Sequence, residues 1–106
     1  MVRRAARTDH NHREIVAALR KIGCTVQSLA AVHNGCPDLL VGRTFPDGSR
    51  RNFLLEVKDG SKPESARRLT KAQIEWLAKW AGEARVVETV DQALEAVGLG
   101  ERSADR

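Results

Sequence analysis

Apolar residues recur every three or four positions between Asn11 and Ile22, at Ile15, Ala18, Leu19 and Ile22, with Val16 at the edge. That spacing predicts a helix with one apolar stripe. Gly23 supplies the stop, because a glycine just past the last turn takes the left-handed conformation without steric cost. The period then drops to two. Thr25-Val26-Gln27-Ser28-Leu29 alternates and begins with β-branched residues, which predicts a first strand. Ala30 to Cys36 reads as a loop turning at Asn34-Gly35. Asp38 to Val41 and Arg51 to Lys58 predict a second and a third strand, joined as a hairpin through Phe45-Pro46-Asp47-Gly48-Ser49. Asp59 to Arg68 is polar, holds Gly60 and Pro63, and predicts a loop.

The best-marked helix start follows. Thr70 and Gln73 form a T-x-x-Q capping box, with Leu69 and Ile74 at the positions of a hydrophobic staple. This helix is expected to run through Trp76, Leu77 and Trp80 to about Ala81, with Gly82 ending it. Ala84-Arg85-Val86-Val87 predicts a fourth strand. Thr89 caps a last helix over Val90 to Val97, ended by Gly98. The order α-β-β-β-α-β-α, with one hairpin and one βαβ crossover, predicts an α/β domain around a small mixed sheet flanked by helices. Residues 9–98 are expected to form that single domain. Residues 1–8 read as a flexible basic tail and residues 99–106 as a frayed end.

Composition narrows the picture. A chain of 106 residues, 42% hydrophobic and 30% charged, suits one globular domain with one modest core. No run approaches the roughly 18 apolar residues of a membrane span. The start, Met-Val-Arg-Arg, has no apolar h-region, so an intracellular, cytoplasmic location is expected. The net charge of +4 favours a polyanionic partner. Arg3, Arg4 and Arg7, Arg50-Arg51 and Arg67-Arg68 are its clusters, each of which is equally a solvated patch. Cys24 and Cys36 read as buried thiols. With His33 they make a poor zinc set, which lacks a C-x-x-C pair and a fourth ligand.

The chemistry concentrates in two places. Pro37-Asp38 sets a carboxylate at the mouth of Leu39-Leu40-Val41, and Glu56-Val57-Lys58 sets two charges in another apolar strand. Side chains alternate along a strand, so Glu56 and Lys58 share a face about 6.6 Å apart, at roughly 3.3 Å per residue. Asp38 and Glu56 lie on strands joined by a hairpin, so their carboxylates can converge. Ionised groups in hydrophobic strands are paired, metal-bound or functional. Two carboxylates beside a lysine suit a hard divalent cation that promotes phosphodiester hydrolysis. The bland alternatives stand beside this. Asp38 also suits a turn after proline, and Glu56–Lys58 also reads as a surface ion pair. Gln73 is accounted for by its capping box. Glu14, three residues after Asn11, doubles as a first-turn carboxylate helped by the helix dipole. Trp76 and Trp80, one turn apart, read first as core, otherwise as a dimer contact or a stacking platform. His33 reads as solvated or as a substrate contact. Arg67, Arg68 and Lys71 flank a helix N-terminus, where phosphate finds backbone donors.

Pro37-Asp38 followed by Glu56-Val57-Lys58 resembles the PD-(D/E)XK nuclease superfamily. Asn34-Gly35-Cys36-Pro37-Asp38-Leu39, Leu55-Glu56-Val57-Lys58 and Leu69-Thr70-x-x-Gln73 together resemble its VRR-NUC branch, which includes small stand-alone phage and bacterial proteins and is similar to archaeal Holliday junction resolvases. The resemblance runs from about Glu14 to Val97. It implies a restriction-endonuclease-like core. It implies that Asp38, Glu56 and the Val57 carbonyl bind Mg²⁺ or Mn²⁺, that Lys58 supports the attacking water, that Gln73 faces the site and that Glu14 completes the metal shell. Cys36 departs from the small or branched residue usual before the proline. The expected activity is a metal-dependent DNA endonuclease acting on branched DNA, such as Holliday junctions or flaps, as a homodimer. A non-catalytic nucleic-acid-binding module and a protein-interaction domain built on Trp76 and Trp80 are the competing classes.

Overall fold

The computed structural model describes residues 10–99, so the basic tail at 1–8 and most of the expected frayed end lie outside the described residues. Its elements are α1 (His10–Lys21), β1 (Thr25–Ser28), β2 (Leu39–Thr44), β3 (Arg50–Val57), α2 (Glu64–Arg67), α3 (Lys71–Lys79), β4 (Ala84–Val87) and α4 (Val90–Ala96). The sheet runs β1-β2-β3-β4, with β1, β2 and β3 antiparallel and β3 parallel to β4. The small mixed sheet flanked by helices is the architecture the sequence predicts.

The core fills one face of that sheet. Ile15 and Leu19 of α1 and Ala93, Ala96 and Val97 at α4 close over Leu39, Val41, Phe53, Leu55 and Val87. Alternation follows from the strand period: Phe53 and Leu55 point inward and Glu56 points to the other face. Asn11 ties α1 to the strand ends, its amide donating to the carbonyls of Lys58 (2.8 Å) and Glu88 (3.2 Å). Leu99, expected to fray, packs against the core and donates its N–H to the Leu94 carbonyl at 2.9 Å.

Several boundaries differ from expectation, each for a local reason. β2 continues to Thr44, because Gly42, Arg43 and Thr44 pair with Asn52, Arg51 and Arg50 although the apolar run has ended. Arg43 is held there by the Phe45 ring, 4.0 Å from its guanidinium, and by the Val97 carbonyl at 2.6 Å. The expected loop at 59–68 contains the one-turn α2, entered through Pro63. The order is thus α-β-β-β-α-α-β-α. Ile22, counted in the apolar stripe, lies past the end of α1 and is exposed.

The largest departure is α3. Trp76 and Trp80 do not enter the core, and α3 has no buried residue. Ile74, expected to staple onto Leu69, is 54% exposed. The helix is anchored by polar contacts at its first turn, and those contacts build the site described next.

Candidate active site

Backbone register brings the two acids together. The last β2–β3 pair is Leu39 with Leu55, so the next step sets Asp38 opposite Glu56. Pro37 has no N–H and breaks the ladder there. β3 runs on past its partner, and the N–H of Val57 would be left unmet. Asp38 Oδ2 accepts it at 2.7 Å, so a side chain replaces a strand carbonyl and is held in one position. On the other edge Val57 pairs with Val87, and the Lys58 N–H donates to the Val87 carbonyl at 2.9 Å, extending the strand geometry to Lys58.

Gln73 joins the charged groups. Its Nε2 donates to Glu56 Oε2 at 3.0 Å, and its Oε1 accepts from Lys58 Nζ at 3.0 Å and from the Thr70 N–H at 2.9 Å. The Thr70 hydroxyl accepts the Gln73 N–H at 3.1 Å, which completes the capping box. One side chain therefore both completes the cap and bonds Glu56 and Lys58, and the two donors on its oxygen fix which way the amide points.

Glu56 is 2% exposed, yet its Oε1 has no hydrogen-bond partner. Lys58 Nζ lies 3.7 Å from Oε2, too far for a tight pair. Burial, then the Asp38 charge, pushes the Glu56 carboxyl up from 4.5 to about 8, against the opposing pull of Lys58. Cys36 adjoins the same acids: burial first, then Glu56 and Asp38, raises its thiol above the ordinary range. No sequence signal placed Cys36 there; its proximity follows from the turn that carries Pro37.

That turn is unusual. His33 (φ 62°), Asn34 (φ 57°) and Gly35 (φ 86°) are successive left-handed residues. A Cβ on Gly35 would stand 2.2 Å from the Ala72 carbonyl oxygen, so only glycine lets the loop touch α3. Gly35→Ala is expected to loosen α3 and displace Gln73. Gly48 has a similar φ of +88° with open space around it, so Gly48→Ala carries the backbone strain alone. Chemical denaturation should show Gly35→Ala costing more than Gly48→Ala, which is worth about 1–2 kcal/mol. Equal costs would mean that the loop contact contributes nothing.

The other expected site residues are scattered. Glu14 is more than half exposed and pairs with His10 at 3.3 Å. It lines an open cleft of about 590 Å³ with Asp59 and Glu88, whose lining includes neither Asp38 nor Glu56. Among the described residues no three acids, histidines or cysteines gather as a metal-binding group. The structure thus does not bring Glu14 to Asp38 and Glu56, nor Cys24 and His33 to Cys36. Arg67 is engaged internally, with its Nε on the Lys62 carbonyl (2.7 Å) and its Nη1 3.4 Å from Glu88. Arg68, Lys71 and His33 are exposed near the start of α3 and the left-handed turn.

No family model and no curated protein matches the chain. Among solved structures, one described as a VRR_NUC domain matches with a TM-score of 0.52 and 23% identity, over 80% of this chain and 87% of that one. Among the described residues no helix is long and apolar enough to cross a membrane. The chain has a small α/β fold, a four-stranded mixed sheet flanked by helices, consistent with the restriction-endonuclease-like fold of a VRR_NUC domain.

Proposed function

We propose that this chain is a divalent-metal-dependent endonuclease of the PD-(D/E)XK type, hydrolysing phosphodiester bonds in branched DNA as a homodimer. One observation carries the reading: two adjacent carboxylates share a site in which a buried oxygen, Glu56 Oε1, has no partner. A structural ion pair accounts for Lys58 but leaves the buried carboxyl to a proton shared with Asp38 as long as no cation is bound. A hard cation satisfies it and relieves the repulsion with Asp38.

The residues fit such a cation. Asp38, Glu56 and the Val57 carbonyl would hold Mg²⁺ or Mn²⁺, and three oxygen donors suffice because Mg²⁺ keeps several waters. Glu14 would join only by leaving His10. When bound, the cation supplies Lewis-acid stabilisation of charge on the phosphoryl oxygens and makes hydroxide accessible near neutral pH.

The chain's own groups do the rest. Lys58 Nζ, held by Gln73, orients the attacking water and offsets negative charge in the transition state. Gln73 in turn holds Glu56 Oε2, so one amide sets the spacing of the acid and the ammonium. Arg68 and Lys71 bind the DNA backbone beside the N-terminus of α3, while Arg67 steadies the loop through Glu88. His33, at the adjoining turn, reaches the substrate from the other side. Two-fold pairing of chains supplies one site per strand.

The test is cleavage of labelled four-way junction, flap, linear duplex and single strand with Mg²⁺ and with Mn²⁺. The expected result is metal-dependent cutting of branched substrates that Asp38→Asn reduces by about 10³-fold or more. Salt-sensitive binding with no cutting under either metal would instead identify a non-catalytic binding module.

A further inference from the structure

Helix α3 carries Ile74, Trp76 and Leu77 and is capped by Trp80, yet it buries none of its residues. The two indoles stack on each other, with centroids 4.7 Å apart and planes at 16°. Beside them lies an open cleft of about 350 Å³, lined by Asn34, Ala72, Glu75, Trp76 and Lys79. That volume falls at the small end of the roughly 300–1,000 Å³ range of ligand pockets. Two of its lining residues, Asn34 and Ala72, are chain neighbours of residues that build the carboxylate site. Gly35, next to Asn34, touches the Ala72 carbonyl, and Gln73 follows Ala72 directly.

We propose that this cleft takes one unpaired nucleobase of the strand being cut, stacked on Trp76. The proposal rests on the nuclease reading and narrows its substrate to branched DNA with single-stranded character at the cut, such as a flap. An aromatic ring stacked on a second ring is a rigid platform, and every base has a π-face to lay against it. The Asn34 amide offers a donor and an acceptor to a base edge, and the Glu75 carboxylate accepts from ring or exocyclic N–H groups. Lys79 at the rim matches the next phosphate. A base inside a duplex is already stacked on both faces and cannot enter. The polar rim of Asn34, Glu75 and Lys79 favours a base over the apolar face of a second copy of the chain.

The chain has two tryptophans and no tyrosine, so its indole emission reports on α3. The experiment titrates the full chain, in EDTA, with a single-stranded oligonucleotide, a flap and a blunt duplex of equal length, reading tryptophan emission and anisotropy of a labelled strand. The single strand and the flap are expected to quench emission, the duplex is not. Trp76→Ala should weaken single-strand binding by roughly 5- to 150-fold and leave duplex binding unchanged, while Trp76→Phe retains most of the affinity. If Trp76→Ala does not fold by circular dichroism, Trp76→Phe and Asn34→Gly carry the test, the second removing the amide while keeping the left-handed backbone and weakening the single strand selectively. Equal binding of all substrates, or absence of quenching in a protein that cuts DNA, would overturn the proposal. So would self-association that shifts emission without nucleic acid and is lost in Trp76→Phe with DNA affinity intact, which would assign the face to a second copy. Failure of the nuclease reading is a separate outcome, an absence of cleavage with Mg²⁺ or Mn²⁺ whatever the emission does.

Discussion

Glu56→Gln is expected to abolish cleavage and yet to give a metal-free protein more stable than the parent at alkaline pH. The two effects share one cause. Glutamine keeps the shape and still accepts from Gln73 Nε2, but it carries no charge into a site where Glu56 is 2% exposed and faces Asp38. The folded-state carboxyl sits at about 8, against 4.5 as the ordinary value. Between those values the folded chain binds more protons than the unfolded one, so stability falls as pH rises through that window. The favourable contribution is fully present below about 4.5 and is lost as pH passes about 8. Glutamine has nothing to lose. Thermal melts in EDTA should nearly coincide at about pH 4.5 and separate progressively up to pH 9, where each 1 kcal/mol moves the midpoint by roughly 4–8 °C. Mn²⁺ needs the carboxylate and expels its proton, so the parent's metal affinity should rise with pH across the same window. Cleavage by Glu56→Gln should drop by about 10³-fold or more. A variant less stable than the parent at both pH values would show Glu56 to be a structural anion matched by its surroundings.

Lys58→Ala is expected to lower cleavage by about 10²–10⁴-fold, while Mn²⁺ still binds and the fold persists. Lys58 donates to Gln73 Oε1, but that oxygen keeps the Thr70 N–H, so the capping box survives the loss. The lysine opposes the rise in the Glu56 carboxyl. Its removal therefore shifts Mn²⁺ binding to higher pH without removing the ligands. Single-turnover cleavage and Mn²⁺ calorimetry on one preparation separate the two effects. Parallel loss of metal binding and activity would make Lys58 a support of the ligand set rather than a group acting on water or phosphate.

Much of this arrangement is legible in the sequence because local rules set it. The strand period puts Glu56 and Lys58 on one face, and the capping box marks the start of α3 with the residues that form it. Hairpin connectivity makes β2 and β3 neighbours, which is enough to draw Asp38 toward Glu56. What the sequence hid is long-range. That Gln73 both caps its helix and bridges acid to lysine depends on where α3 docks, and that docking runs through Gly35, far in sequence from the Ala72 carbonyl it meets. Glu14 looked suited to the site from its place on the α1 stripe, but its carboxylate meets His10 one turn back. Arg67 looked free for phosphate, and Glu88 holds it across the loop. The tryptophans read as core because spacing tells which face of a helix is apolar and not whether anything covers it.

Manganese soaked into crystals, located by its anomalous scattering, tests the central claim most directly. The account predicts a peak bonded to Asp38 and to the Glu56 oxygen that now has no partner, with the Val57 carbonyl alongside. A peak at the Glu14–Asp59–Glu88 cleft with none between Asp38 and Glu56 would contradict it, as would carboxylates that stay protonated and undisturbed at high manganese and pH 8.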